Sequence, residues 1–215
     1  MQSEIQGTPG NDRLTGTDDA EAIRGLDGDD FITGGDGLDV LDGGAGNDTI
    51  IGGPTRDLIR GGDGNDTLLG SGWLTGGAGA DILSSTNSAL LAGGQGGDLM
   101  TGGAGFDRFA YDIVAGESDA DDPDTIRFFQ EGIDKIALFQ DDKDGFDFIG
   151  DLTFDEYRDA VFSGGFEVVV TRSNNMVARQ EGNTLQIDKD FDGVADLTIN
   201  FTQDVNLTTE DFLLF

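Results

Sequence analysis

The stretch Gly43–Ile51 reads GGAGNDTII, and eighteen residues further on Gly61–Leu69 reads GGDGNDTLL. Between them lies a third nonapeptide, GGPTRDLIR (Gly52–Arg60), with an aspartate at the same sixth position and an aliphatic residue at the same eighth. Working outward, blocks of nine begin at Gly7, Gly16, Gly25, Gly34, Gly43, Gly52 and Gly61 without a slip. A block of six follows (Gly70–Thr75), then nine from Gly76, eight from Ser85, nine from Gly93, and a last block from Gly102. The eighth position or its equivalent is Leu14, Ile23, Ile32, Leu41, Ile50, Ile59, Leu68, Leu74, Leu83, Leu91, Met100 and Phe109. All are apolar, even where the block is shortened, so the register that is kept is that of the apolar residue.

Each block reads as a six-residue turn followed by a three-residue strand. Strand alternation puts position eight inside and positions seven and nine outside. Glycines at positions one, two and four permit positive φ and close backbone packing, and Asn11, Asn47 and Asn65 at position five tolerate similar geometry. One block cannot bury its apolar residue alone; stacking on neighbours builds the core. Two blocks make a coil of eighteen residues, so odd blocks stack on odd and even on even, in two facing sheets.

The bulk composition excludes several classes. The chain has 215 residues, 43 acidic against 12 basic, and a formal charge of −31. Phosphate backbones need Lys and Arg, so nucleic acid is not a partner, and anionic membrane surfaces are disfavoured in the same way. So large a charge opposes compaction by self-repulsion, which implies counterions. The sequence has no Cys, which excludes disulfides, and no His, which removes the usual general base. No apolar run approaches the ~20 residues of a membrane span. The opening MQSEIQGTPG has neither the basic nor the apolar region of a cleavable signal peptide.

Over residues 7–110 the repeat resembles the G-G-x-G-x-D-x-U-x signature of the RTX (repeat-in-toxin) family, whose parallel β-roll binds calcium. The odd blocks carry Asp12, Asp30, Asp48, Asp66, Asp81 and Asp98 at position six. Stacked ~4.8 Å apart, these carboxylates repel one another unless a cation lies between them, and Ca2+ takes six to eight hard oxygens, backbone carbonyls included. The resemblance implies that each ion bridges two successive same-side turns. About five ions are therefore expected along the odd edge, by the ligand needs of the ion. The even edge is decayed. Asp39 and Asp57 remain, Glu21 replaces one aspartate, and the blocks at Gly70 and Ser85 lack a sixth-position carboxylate. Asp107 is expected to end the stack without a partner below it. One or two ions at most are expected there, near Asp39 and Asp57. Position seven of the even blocks is large and apolar at Val40, Leu58, Trp73 and Leu90, a stripe suited to contact with the C-terminal region or with a protein partner.

After Phe109 the repeat stops. The stretch Asp124–Phe139 resembles the capping segment that follows RTX repeats in secreted bacterial proteases and haemolysins. Its Asp124-Thr125-Ile126 repeats the Asp-x-apolar end of a block, so Asp124 is a further candidate ligand. A short helix is expected over 153–162 and strands over 166–172, 183–188 and 195–201. The DKDFDG of Asp188–Gly193 begins like an EF-hand loop, but Ile199 stands where that loop needs Glu; an acidic turn is the expectation. The terminal Thr208–Phe215, TTEDFLLF, resembles the uncleaved type I secretion signal of the family, and a last strand of the cap satisfies the same pattern.

The predicted architecture is all-β: a right-handed parallel β-roll over 1–110, then a β-rich cap with a short helix over 111–215. The function implied is that of an extracellular bacterial protein or module, exported by type I machinery and folding on Ca2+. The chain itself carries no catalytic motif, neither H-E-x-x-H nor G-x-S-x-G. The alternatives are a surface-layer or adhesin-type structural protein, or the C-terminal part of a larger secreted hydrolase.

Overall fold

Apolar residues recurring every nine positions, with glycine turns between, fold the chain into a parallel β-solenoid. The computed structural model describes residues 3–112, 122–139, 177–188, 195 and 197–214. One sheet stacks β1 (Ser3–Gln6), β3 (Glu21–Asp27), β5 (Val40–Ala45) and the second parts of β6 (Thr49–Asp63), β7 (Thr67–Ala78) and β8 (Ile82–Gln95). It continues through β10 (Arg108–Asp112), β12 (Lys135–Phe139) and β16 (Phe212–Leu214), all in parallel. The facing sheet stacks β2 (Arg13–Thr15), β4 (Phe31–Thr33), the first parts of β6 to β8, β9 (Leu99–Thr101), β11 (Asp124–Arg127) and β15 (Leu197–Phe201).

The register is the eighteen-residue one. Ile32 pairs with Ile50, Ile50 with Leu68, Ile23 with Leu41, and Leu41 with Ile59. Across the shortened block Ile59 pairs with Leu74, and the three missing residues are absorbed by a shift of register between Ile51 and Arg56. The eighth-position residues from Ile23 to Phe109 are fully buried in one continuous core, with Leu14 and Ile5 partly buried at the open end. At the other end Phe109, Phe129 and Phe201 close the core, with ring centroids 5.9 and 5.5 Å apart.

Three details differ from the sequence expectation. Strand pairing does not stop after position nine. It runs through positions one to three of the following block in β3, β5, β6, β7 and β8. The stack does not end at Phe109: β10 carries β12 on its far side, and β9 carries β11. Finally, Trp73 is buried, only 4% exposed, whereas Val40, Leu58 and Leu90 are half-buried, so the stripe is not an open apolar face. The expected strands over 183–188 and 195–201 are β14 (Thr184–Asp188) and β15. β14 runs antiparallel to β15 and to β13 (Val177–Glu181), so the odd sheet ends in a change of strand direction. The helix expected over 153–162, the strand over 166–172 and most of the acidic turn at 188–193 lie outside the described residues.

In the interior coils position two takes a left-handed backbone, with φ between +103° and +134° at Gly35, Gly44, Gly53, Gly62, Gly77 and Gly94. Leu26 occupies the same position with φ +90°. A side chain there costs about 1–2 kcal/mol. Leu26→Gly is therefore expected to raise stability by about 1 kcal/mol, net of the entropy glycine adds to the unfolded chain. A thermal melt in saturating Ca2+ reads this; a lowered midpoint would show that Leu26 contributes packing that outweighs its strain.

Candidate metal centre

The sixth-position carboxylates form two ladders, one along each edge of the solenoid. On the odd edge each aspartate N–H donates to the Oδ1 of the aspartate one coil on. The chain of bonds is Asp12 to Asp30, Asp30 to Asp48, Asp48 to Asp66 and Asp66 to Asp81 at 2.7 Å, then Asp81 to Asp98 and Asp98 to Asp124 at 2.8 Å. All but Asp12 are buried. Asp124 is thus the seventh rung, directly below Asp98, although 26 residues separate them.

In Asp30, Asp48, Asp66 and Asp81, Oδ1 is spent on the backbone, and Oδ2 is not. The Oδ2 atoms of Asp30, Asp48, Asp66 and Asp81 are buried and accept no hydrogen bond. Each points into a pocket floored by the first glycine of its own turn and a main-chain carbonyl of the next coil. A Cβ on Gly61 would overlap the Asp66 carboxylate and lie 2.6 Å from the Gly76 oxygen; Gly43 is placed likewise beside Asp48 and Gly61. The first glycine is therefore required for space beside the carboxylate. It does not adopt positive φ, unlike Gly44 and Gly62 at position two and Gly46 and Gly64 at position four.

Burial has an electrostatic consequence. Desolvation pushes Asp48, Asp66 and Asp81 up to about 6, partly offset by the backbone N–H each accepts. Neighbouring carboxylates add to the rise at Asp48 and Asp66. Asp30 is raised for the same leading reason. A column of buried, mutually repelling carboxylates with an unused oxygen apiece is a poor structural element in water and a good receptor for a hard cation. The donor set is carboxylate plus carbonyl, which is Ca2+ chemistry rather than that of a soft metal. Among the described residues no three acidic side chains converge on one point, so main-chain oxygens must complete any coordination shell.

The even edge is built otherwise. Glu21 N–H donates to Asp39 Oδ1 at 2.9 Å and Asp39 N–H to Asp57 Oδ1 at 3.0 Å. Asp39 Oδ2 is buried and accepts nothing, with the Gly52 oxygen and the Gly34 α-carbon beside it. Burial pushes Asp57 up to about 6 and raises Asp39. Below Asp57 hydroxyls replace carboxylates. The Ser71 hydroxyl donates to the Thr55 oxygen at 2.6 Å, and the Thr55 hydroxyl to Asp57 Oδ1 at 3.2 Å. The Ser85 hydroxyl donates to Asp107 Oδ1 at 2.8 Å.

Asp107 does not end the ladder, contrary to the sequence expectation. Its N–H donates to Asp134 Oδ1 at 3.0 Å. Both lower carboxylates are saturated by their own turns: Gly103 N–H reaches Asp107 Oδ2 and Gln130 N–H reaches Asp134 Oδ2, each at 2.8 Å. Asp107 is nevertheless pushed up to about 6 by burial. Sequence reading missed Asp134, although Asp134-Lys135-Ile136 keeps the Asp-x-apolar signal. It also missed Asp211, which accepts the Thr208 N–H and hydroxyl at 2.8 and 3.0 Å and pairs with Lys135 at 3.7 Å.

These features define a parallel β-solenoid with a cation-receptive carboxylate ladder, nearly continuous on one edge and interrupted on the other. Residues 4–32, 15–50, 42–72, 73–87 and 90–109 match the family model of the RTX calcium-binding nonapeptide repeat. These segments, 104 of the 215 residues, carry the RTX calcium-binding nonapeptide repeat. The structure is similar to the crystal structure of the extracellular lipase LipA from Serratia marcescens, with 16% identity, a TM-score of 0.44 and all of this chain covered; the chain spans 40% of the lipase's length. No curated protein sequence matches. Among the described residues no helix is long and apolar enough to cross a membrane.

Proposed function

We propose that this chain is a non-catalytic, calcium-responsive folding module of a protein exported by type I machinery. The observation that carries the reading is the row of buried Oδ2 atoms of Asp30, Asp48, Asp66 and Asp81, which accept no hydrogen bond and face main-chain carbonyls. Asp30, Asp48, Asp66, Asp81, Asp98 and Asp124 line the principal array, with Asp12 at its N-terminal end by repeat position, and Asp39 and Asp57 a single gap opposite. Bound Ca2+ supplies positive charge between the rungs. The residues of the chain supply carboxylates held by the backbone ladder, glycine turns that leave room, and an apolar core that fixes the coil spacing. At low calcium the −31 charge opposes compaction, which suits threading through an exporter. In extracellular calcium, sites with Kd of about 10⁻⁴–10⁻³ M fill.

The two edges provide the test. Asp66 lies between intact turns on both sides, whereas Asp57 has a hydroxyl turn below it. Asp66→Ala is expected to raise the calcium midpoint of folding severalfold more than Asp57→Ala, as read by circular dichroism. Equal shifts would assign the two edges equal parts and remove the basis of the proposal. For export, deletion of Thr208–Phe215 is expected to abolish secretion by a type I system. Unchanged secretion would leave the segment with the structural part it has as β16, which pairs with β12.

A further inference from the structure

Interior and end turns treat the same carboxylate differently. In the first coil the second position is not glycine: it is Thr8 on the odd edge and Thr17 on the even edge. Thr8 gives Asp12 Oδ2 both its N–H, at 2.6 Å, and its hydroxyl, at 2.9 Å. Thr17 gives its N–H to Glu21 Oε2 at 2.9 Å and its hydroxyl to Oε1 at 2.5 Å. Neither threonine takes the positive φ that Leu26 and the second-position glycines Gly35, Gly44, Gly53, Gly62, Gly77 and Gly94 adopt. The turn thus directs both donors at the carboxylate. Coil for coil, Asp12 Oδ2 and Asp30 Oδ2 occupy the same place, near the first glycine of their own turn and the carbonyl of the next coil. One is saturated and the other is buried with no donor.

We propose that Thr8 and Thr17 stand in for a cation, so that the first coil is metal-free and the array begins at Asp30 on one edge and Asp39 on the other. This rests on the calcium reading above and refines it. An ionised carboxylate is stabilised by charge-assisted donors or by a metal, and an ion entering beside Asp12 would displace two such bonds. Among the described residues no turn stacks before that of Gly7–Asp12, so an ion there would be open to water on that side. At the opposite end the bond from Asp98 N–H to Asp124 Oδ1 extends the ladder by a rung. The odd-edge count stays at about five ions, but the array is displaced one coil toward the C terminus. Asp12, placed in the array by its position in the repeat, becomes a structural carboxylate, and Asp124 becomes a ligand.

Native mass spectrometry of the full chain in saturating Ca2+ decides this. The wild type is expected to carry about six ions. Asp12→Asn and Glu21→Gln are expected to keep that number, while Asp30→Asn loses one. An ion lost from Asp12→Asn or from Glu21→Gln overturns the assignment and leaves the calcium reading standing. A wild-type chain that binds no Ca2+ overturns both.

Discussion

Stripped of metal by chelator, the chain is expected to lose most of its β-structure and to regain it cooperatively as Ca2+ is added. The energetics decide this. At a calcium concentration ten times Kd, each ion contributes about 1.4 kcal/mol, so the odd edge alone, with about five, contributes roughly 7 kcal/mol. That is comparable with the whole stability of a typical domain, about 5–15 kcal/mol. Removing the ions also restores repulsion along the buried row from Asp30 to Asp98. Coil stacking spreads the loss, because each rung is held mainly by its neighbours. Mg2+ is expected to rescue poorly, since it demands near-octahedral geometry and dehydrates reluctantly. Far-UV circular dichroism across a calcium titration is the measurement. A full β-spectrum in excess chelator would show that the core from Ile23 to Phe109 holds the solenoid without help.

Where the nine-residue period is intact, fold and site are both legible in the sequence. The eighth-position series predicts the core row, and the eighteen-residue coil predicts the pairings of Ile32 with Ile50 and Leu41 with Ile59. The period also places Asp30, Asp48, Asp66, Asp81 and Asp98 in one ladder. It fails where rungs are joined by long insertions. Asp134 lies 27 residues from the aspartate it supports, and only the short Asp-Lys-Ile pattern marks it. The period is equally silent on the difference between Asp12 and Asp30, which occupy the same repeat position; one hydroxyl and one N–H from Thr8 separate them. The first-position glycines show a further limit. Composition marks them as flexible, whereas their requirement is the space a carboxylate fills.

Acidification is expected to act in opposite directions with and without Ca2+. Burial pushes Asp48, Asp57, Asp66, Asp81 and Asp107 up to about 6 in the metal-free fold, and raises Asp30, Asp39 and Asp134. A carboxyl whose folded pKa is raised favours folding when protonated. Its contribution is fully present below the unfolded value of about 3.9 and is lost as pH rises through about 6. Asp211 runs the other way. Burial raises it, but donors from Thr208 and Gly132 and the charge of Lys135 outweigh burial and hold it below the usual range. Its contribution fades on acidification, one group against eight. In chelator the β-signal is therefore expected to grow as pH falls from 7 to 5. In millimolar Ca2+ the same protons compete with the ion for Oδ2, so the calcium midpoint is expected to rise over that interval. The two titrations should converge toward pH 5, where protons have taken over part of the neutralising work of the metal. A metal-free chain that unfolds further between pH 7 and 5 would mean that the ladder carboxylates are not the groups holding the apo chain open.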